Sequence, residues 1–149
     1  MALVTTSRRS TPLVRKLAKD LAFATGSIYL SRGKAGIRDI AHDSPYFFVI
    51  SELRSSRIHL QLFHIDTILL DLVATDIQTG MRDWPLFRGI RTSNESYANV
   101  IKKACACETM LFDSNLDSIS YDGQQKRYHT LIVQGISEQQ YTRYNAVAQ

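Results

Sequence analysis

The first thirty residues constrain the fold most strongly. Ala2–Thr6 is a short apolar, β-branched run that reads as a strand. Thr11-Pro12 then supplies a helix start, a hydroxyl as N-cap and a proline at the first helical position. Leu13, Val14, Leu17, Ala18, Leu21 and Ala22 recur at helical spacing and form one apolar stripe, with Arg15, Lys16, Lys19 and Asp20 on the other side. Gly26 stops the helix, and Ser27–Leu30 reads as a second strand. Strand, loop, helix, strand is the opening of an α/β layer.

The middle of the chain changes character. A short helix is expected around Ile37–His42. Strands are expected at Tyr46–Leu53, at Arg57–Ile65 and, through a turn at Asp66-Thr67, at Ile68–Ala74. An antiparallel middle after an α/β start predicts a mixed sheet, so the fold class is α/β with α+β character. Asp76–Asp83, with Gly80 inside it and Pro85 beyond, reads as a polar connection. It puts a natural seam between two halves near residues 76–85 of a single 149-residue domain. Beyond it, Thr92 with Glu95 fits a capping box, followed by a helix whose buried stripe is Tyr97, Val100, Ile101 and Ala104. Leu116–Tyr121 and Arg127–Gln134 read as strands around a turn at Asp122-Gly123. Ser137 and Gln140 cap a last helix, stapled by Ile136 and Tyr141. Sequence self-similarity between the halves is too weak to establish a duplication.

Composition excludes several classes. A chain of 149 residues, 44% apolar, can bury a core without metal or disulfide staples. The most apolar stretch, Ile65–Ala74, is broken by Asp66 and Asp71, so no segment approaches a membrane span, and the N-terminus has the reverse of a secretory signal's charge order. Cys105 and Cys107 stand too close for an unstrained bridge and read as a reduced pair packing as small apolar side chains. An intracellular, cytoplasmic protein is expected.

Charge is unevenly placed. Residues 1–40 hold eight cations and two acids, a net of +6, whereas residues 41–149 hold ten cations and twelve acids, a net of −2. A basic quarter on a slightly acidic body is the footprint of a polyanion partner. Thr5–Thr11 lies between a strand and a helix start, where unpaired backbone amides and hydroxyls can meet phosphate oxygens, and Arg8 and Arg9 add permanently charged forks. Ser31-Arg32-Gly33-Lys34 follows the second strand. If the two strands are parallel neighbours, both loops leave the sheet at one edge, where α/β folds bind ligands. The aromatics Tyr29, Tyr46 and Phe47 are available for base stacking.

Enzyme readings fail on the residues. Arg32–Gly36 lacks both the leading glycine (Ile28 stands there) and the hydroxyl after the lysine (Ala35) that a Walker motif needs. His42, His59, His64 and His129 are scattered without metal-ligand spacing, and read as surface or sheet histidines. No nucleophile elbow occurs. No catalytic residue, metal site or cofactor is expected.

The basic loops also carry a family resemblance. Leu3-Val4-Thr5-Thr6-Ser7-Arg8, Tyr29-x-x-Arg32-Gly33-Lys34, Ile37-Arg38-Asp39 and Ile90-Arg91-Thr92-x-x-Glu95-x-Tyr97 together resemble the Brix domain, in order and spacing over nearly the whole chain. Two positions depart from that pattern: Ser10 stands where proline is common, with Pro12 later, and Gly36 stands where serine is usual. The resemblance implies two similar α/β halves, each akin to the anticodon-binding domain of class IIa tRNA synthetases, in the minimal single-domain form found in archaea. It implies a ribosome biogenesis factor that binds precursor ribosomal RNA and assembly factors or ribosomal proteins during rRNA processing and subunit assembly, without catalysis.

Residues and resemblance together give an expected RNA-contact set. Arg8, Arg9, Arg32, Lys34 and Arg38 meet phosphates, Arg15 and Lys16 widen the patch, Gly33 allows close approach, and Thr6 and Ser7 orient the first loop. Two rivals stand beside this reading. One is a protein-interaction scaffold in a ribosomal assembly complex that barely touches RNA, favoured by an exposed aromatic or apolar patch on the Tyr46–Ala74 sheet. The other is a nucleotide- or phosphate-dependent enzyme using the Arg32–Gly36 loop.

Overall fold

The computed structural model describes residues 2–31, 36 and 44–135. The helices expected at Ile37–His42 and after Ser137 lie outside them.

Strand β1 (Leu3–Thr6) leads through a five-residue loop into helix α1 (Pro12–Thr25). The local signals act as their chemistry requires. Thr11 caps α1, its hydroxyl accepting from the Val14 amide at 3.3 Å, and Gly26 ends it at φ 68°, a left-handed conformation open to glycine. Strand β2 (Ile28–Tyr29) then returns parallel to β1. Thr5 ties the two together, its hydroxyl donating to the Leu30 carbonyl at 2.8 Å.

Strand β3 (Tyr46–Glu52) pairs parallel with β1 on its other side, and β4 (Ile58–His64) and β5 (Thr67–Met81) follow as antiparallel meanders. The second half repeats the order: β6 (Gly89–Thr92), α2 (Glu95–Cys105), β7 (Glu108–Leu111) parallel to β6, then β8 (Ser118–Asp122) and β9 (Arg127–Gly135). Among the described residues the nine strands form one mixed sheet in the order β2-β1-β3-β4-β5-β9-β8-β6-β7. Read inward from each edge, β2-β1-β3-β4 and β7-β6-β8-β9 correspond, with β5 between them. They differ in one pairing: β3 is parallel to β1, but β8 is antiparallel to β6.

Two local readings are corrected. Asp76–Met81 is not a connection: β5 runs unbroken from Thr67 to Met81, with a bulge between Ala74 and Asp76, and its second part pairs with β9. The polar side chains there face solvent on a strand whose backbone is satisfied by the ladder, so hydropathy alone hides it. The second helix is capped by Asn94, whose side chain accepts from the Tyr97 amide at 3.1 Å. Thr92 is instead buried at the end of β6 and donates to the Ser118 carbonyl at 2.6 Å.

One apolar core draws on both sides of the 76–85 region. It joins Val4, Val14, Leu17, Leu21, Phe48, Ile50, Leu60 and Leu72 to Ile90, Ile101, Ile119, Tyr121 and Leu131. Helix α1 touches β1, β2 and β3 of the first half and β6 and β8 of the second. Leu13 of the expected stripe is 42% exposed, whereas Asp20 is buried.

Asp20 fastens α1 to the far half. Its carboxylate accepts from Arg127 (2.8 Å to each oxygen), His129 Nε2 (2.6 Å) and the Gln124 amide (3.3 Å). Burial alone raises its pKa, but the hydrogen bonds and positive charges of His129 and Arg127 outweigh that and hold the carboxyl well below the usual carboxylate range. A Cβ on Gly123 would collide with the Asp20 carboxylate, so the turn after β8 has room only for glycine. Cys105 and Cys107 are free thiols, half-buried against the core.

Candidate nucleic-acid interface

The loop between β1 and α1 is rigidly built. Thr6 is 3% exposed, and its hydroxyl donates to the Ser7 carbonyl at 3.1 Å; the Ser7 amide donates to the Ile50 carbonyl on β3, also at 3.1 Å. Thr6 therefore sets the path of the loop and stays beneath its surface. Arg15, in the first turn of α1, folds back and donates from Nη1 to the Ser10 carbonyl. That leaves Arg8 and Arg9 exposed at the tip, with Arg15 and Lys16 exposed beside them. Among the described residues, none of these four cations makes an ion pair with a carboxylate.

Topology sets what stands next to this loop. β1 is a parallel neighbour of β2, so the chain leaving β2 at Leu30-Ser31 departs from the same end of the sheet as Ser7–Thr11. Arg32, Gly33, Lys34 and Arg38 lie outside the described residues. β3 is also parallel to β1, and this adds residues that sequence reasoning missed. The β3–β4 turn emerges at the same end, carrying Arg54 exposed and Arg57 half-buried. Arg9, Thr11, Glu52, Leu53, Arg54 and Ser56 line one cleft of about 500 Å³. Arg57 donates from Nη1 to the Thr75 carbonyl at 3.3 Å and extends the cationic rim toward β5. Their signal was present in the sequence, as arginines just after a strand, but without the β1–β3 adjacency nothing joined them to the first loop.

The three aromatics proposed for stacking separate. Phe47 is fully buried, its ring stacked on Phe63 at 5.0 Å, and is closed to a base. Tyr46 stacks on His64 at the amino end of β3, away from the arginines. Tyr29 lies under the Lys19 ammonium, 5.6 Å from ring centre to nitrogen.

Among the described residues, no three His, Cys, Asp or Glu side chains come together as a metal site, and no helix is long and apolar enough to cross a membrane. Thr79, His129 and Asp20 do form a hydrogen-bonded line. Its histidine is wholly buried and its carboxylate also carries Arg127 and Gln124, so the line joins α1 to β5 and β9.

No family model matches the sequence, and no curated protein does. Solved structures do match. A probable ribosomal biogenesis protein from Aeropyrum pernix K1 aligns over 92% of this chain and 97% of its own, at 17% identity and a TM-score of 0.67. Mil, an archaeal Imp4-like protein, aligns over 89% of this chain and 96% of its own, at 16% identity and a TM-score of 0.56. At these identities the likeness establishes a shared fold.

Proposed function

We propose that this chain is a Brix-type ribosome biogenesis factor, a cytoplasmic protein that binds precursor ribosomal RNA during processing and subunit assembly and acts by binding, not catalysis. The observation that carries the reading is the cationic end of the sheet. Arg8, Arg9, Arg15, Lys16, Arg54 and Arg57 stand around the carboxyl ends of β1 and β3, the first four without acidic partners among the described residues. Such an end attracts a polyanion and positions its backbone without reading its sequence. The strand leading to Arg32, Gly33, Lys34 and Arg38 leaves from the same end, which supports their place in the contact set. The shared fold with a probable ribosomal biogenesis protein points the same way, and the paired halves around β5 fit the anticodon-binding-domain likeness that the Brix resemblance implies.

The test is the double variant Arg8→Ala/Arg32→Ala, assayed for binding to precursor rRNA fragments across salt concentrations. With five to seven phosphates engaged, log affinity falls against log salt with a slope of roughly −0.7 per contact. The variant is expected to bind more weakly at moderate salt, with a slope shallower by about 1.4. Unchanged affinity in a folded variant removes the site assignment.

A scaffold role within an assembly complex has one observation in its favour: Ile65 and Ile68, at the β4–β5 hairpin, are 52% and 47% exposed. Capture of assembly factors that persists after nuclease treatment supports that reading over direct RNA contact.

A further inference from the structure

We infer that the cleft between Trp84 and Lys126 is a second RNA contact, taking one unpaired nucleotide with its base on the Trp84 indole and its phosphate against Arg82 and Lys126. The inference rests on the RNA-binding reading above and adds a site that reading does not use.

Trp84 is the only tryptophan in the chain and is 40% exposed. It is held in place, not loosely displayed. Its Nε1 donates to the buried Asp122 carboxylate at 3.2 Å, and that carboxylate is fixed in turn by Arg91 at 2.8 Å and the Phe87 amide at 3.0 Å. Tyr128 braces the indole, with ring centres 5.1 Å apart and planes inclined by 52°. Tyr128 can lie there because its partner across the β5–β9 ladder is Gly80, where a Cβ would come within 2.9 Å of the phenol ring. An aromatic surface fixed in advance loses little side-chain freedom when a base stacks on it.

The rim is cationic and equally fixed. Arg82 donates from Nη1 to the Gly123 and Arg127 carbonyls at 2.8 and 2.9 Å, and its backbone amide donates to the Lys126 carbonyl at 2.7 Å. Among the described residues Arg82 donates to carbonyls and makes no ion pair with a carboxylate, so its charge is not cancelled. Gln125 and Lys126 are both left-handed, at φ 56° and 62°, conformations that cost a non-glycine residue of order 1–3 kcal/mol each and are kept only where the surroundings impose them. They carry the turn that sets Lys126 on the cleft. Asp83 also lines it, one acid against two cations, and Pro85 and Leu86 give an apolar wall. The cleft holds about 340 Å³, at the small end of ligand sites, which suits one nucleotide and not a duplex.

Position favours nucleic acid over a protein partner. β5 is antiparallel to β4, which is antiparallel to β3, so the carboxyl end of β5 points the way those of β3 and β1 do. From Thr75, touched by Arg57, to Met81, just before Arg82, the strand rises roughly 20 Å. A single strand held at Arg8, Arg9, Arg54 and Arg57 needs to run only a few nucleotides to reach Trp84.

Because Trp84 is unique, its emission reports on this cleft alone. Titration of the whole protein with a short, unstructured, dye-labelled oligoribonucleotide reads Trp84 emission and oligonucleotide anisotropy together. Saturable quenching that follows the anisotropy rise is expected. Trp84→Ala is expected to weaken binding roughly five- to hundredfold, and Arg82→Ala/Lys126→Ala severalfold, with Arg8 and Arg9 intact. An anisotropy rise with unchanged Trp84 emission overturns the inference and leaves the RNA-binding reading standing. No anisotropy rise at all overturns both.

Discussion

At the residue scale, Asp20 gathers four hydrogen bonds from the far half of the chain onto one side chain. It is wholly buried on α1 and is met by Arg127 and His129, 107 and 109 residues away in sequence. Removing one partner of such a buried pair leaves the others uncompensated, so Asp20→Ala is expected to cost about 3–5 kcal/mol in chemical denaturation. The pH dependence has a definite sign. A carboxyl whose native pKa is depressed contributes stability that is complete above its ordinary value of 3.8 and drains as pH falls from there toward the native value. Wild type is therefore expected to lose stability between about pH 5 and pH 2, and Asp20→Asn to show a flatter profile over that window. Equal slopes for the two proteins count against this role. The same residue shows where sequence stops speaking. Thr11, Pro12 and Gly26 act on neighbours within four positions, so their roles are written locally. Asp20 looks like any acid on the outer face of an amphipathic helix until β8 and β9 arrive over it.

At the element scale, α1 separates what periodicity can and cannot say. The helix and both of its ends follow from spacing and caps, but the apolar stripe as spaced included Leu13, which the first turn leaves in solvent. Leu17 is 0% exposed at the centre of the core. Leu17→Ala is expected to cost about 2–5 kcal/mol and Leu13→Ala less than about 0.5 kcal/mol, measured by urea denaturation. Comparable losses would mean a different face of α1 is buried. β5 makes the complementary point. Its first eight residues are mostly apolar strand formers, and Asp76, Gln78 and Thr79 are not. What makes the later part a strand is β9, some fifty residues on (Thr79 Oγ1 meets His129 Nδ1 at 3.0 Å), and no local propensity reports that pairing.

At the scale of the whole molecule, the mixed sheet was legible because α/β and antiparallel patterns follow one another along the chain. The neighbours of β1 were not. Two parallel partners, one on each side, are what gather the Ser7–Thr11 loop, the chain after β2 and the β3–β4 turn at one end. Arg54 could join the candidate site only through that arrangement. The order of strands also has a mechanical reading. β5 pairs with β4 over residues 67–74 and with β9 over residues 72–81, so only Leu72, Val73 and Ala74 sit on both ladders. Severing the chain at Thr75 is expected to yield two pieces that each lack a cooperative thermal transition by circular dichroism. A fragment that melts cooperatively alone would contradict this. Whatever ancestry the mirrored order of elements reflects, its two portions are stitched together at the middle of the sheet, over just three residues of a strand that belongs to both.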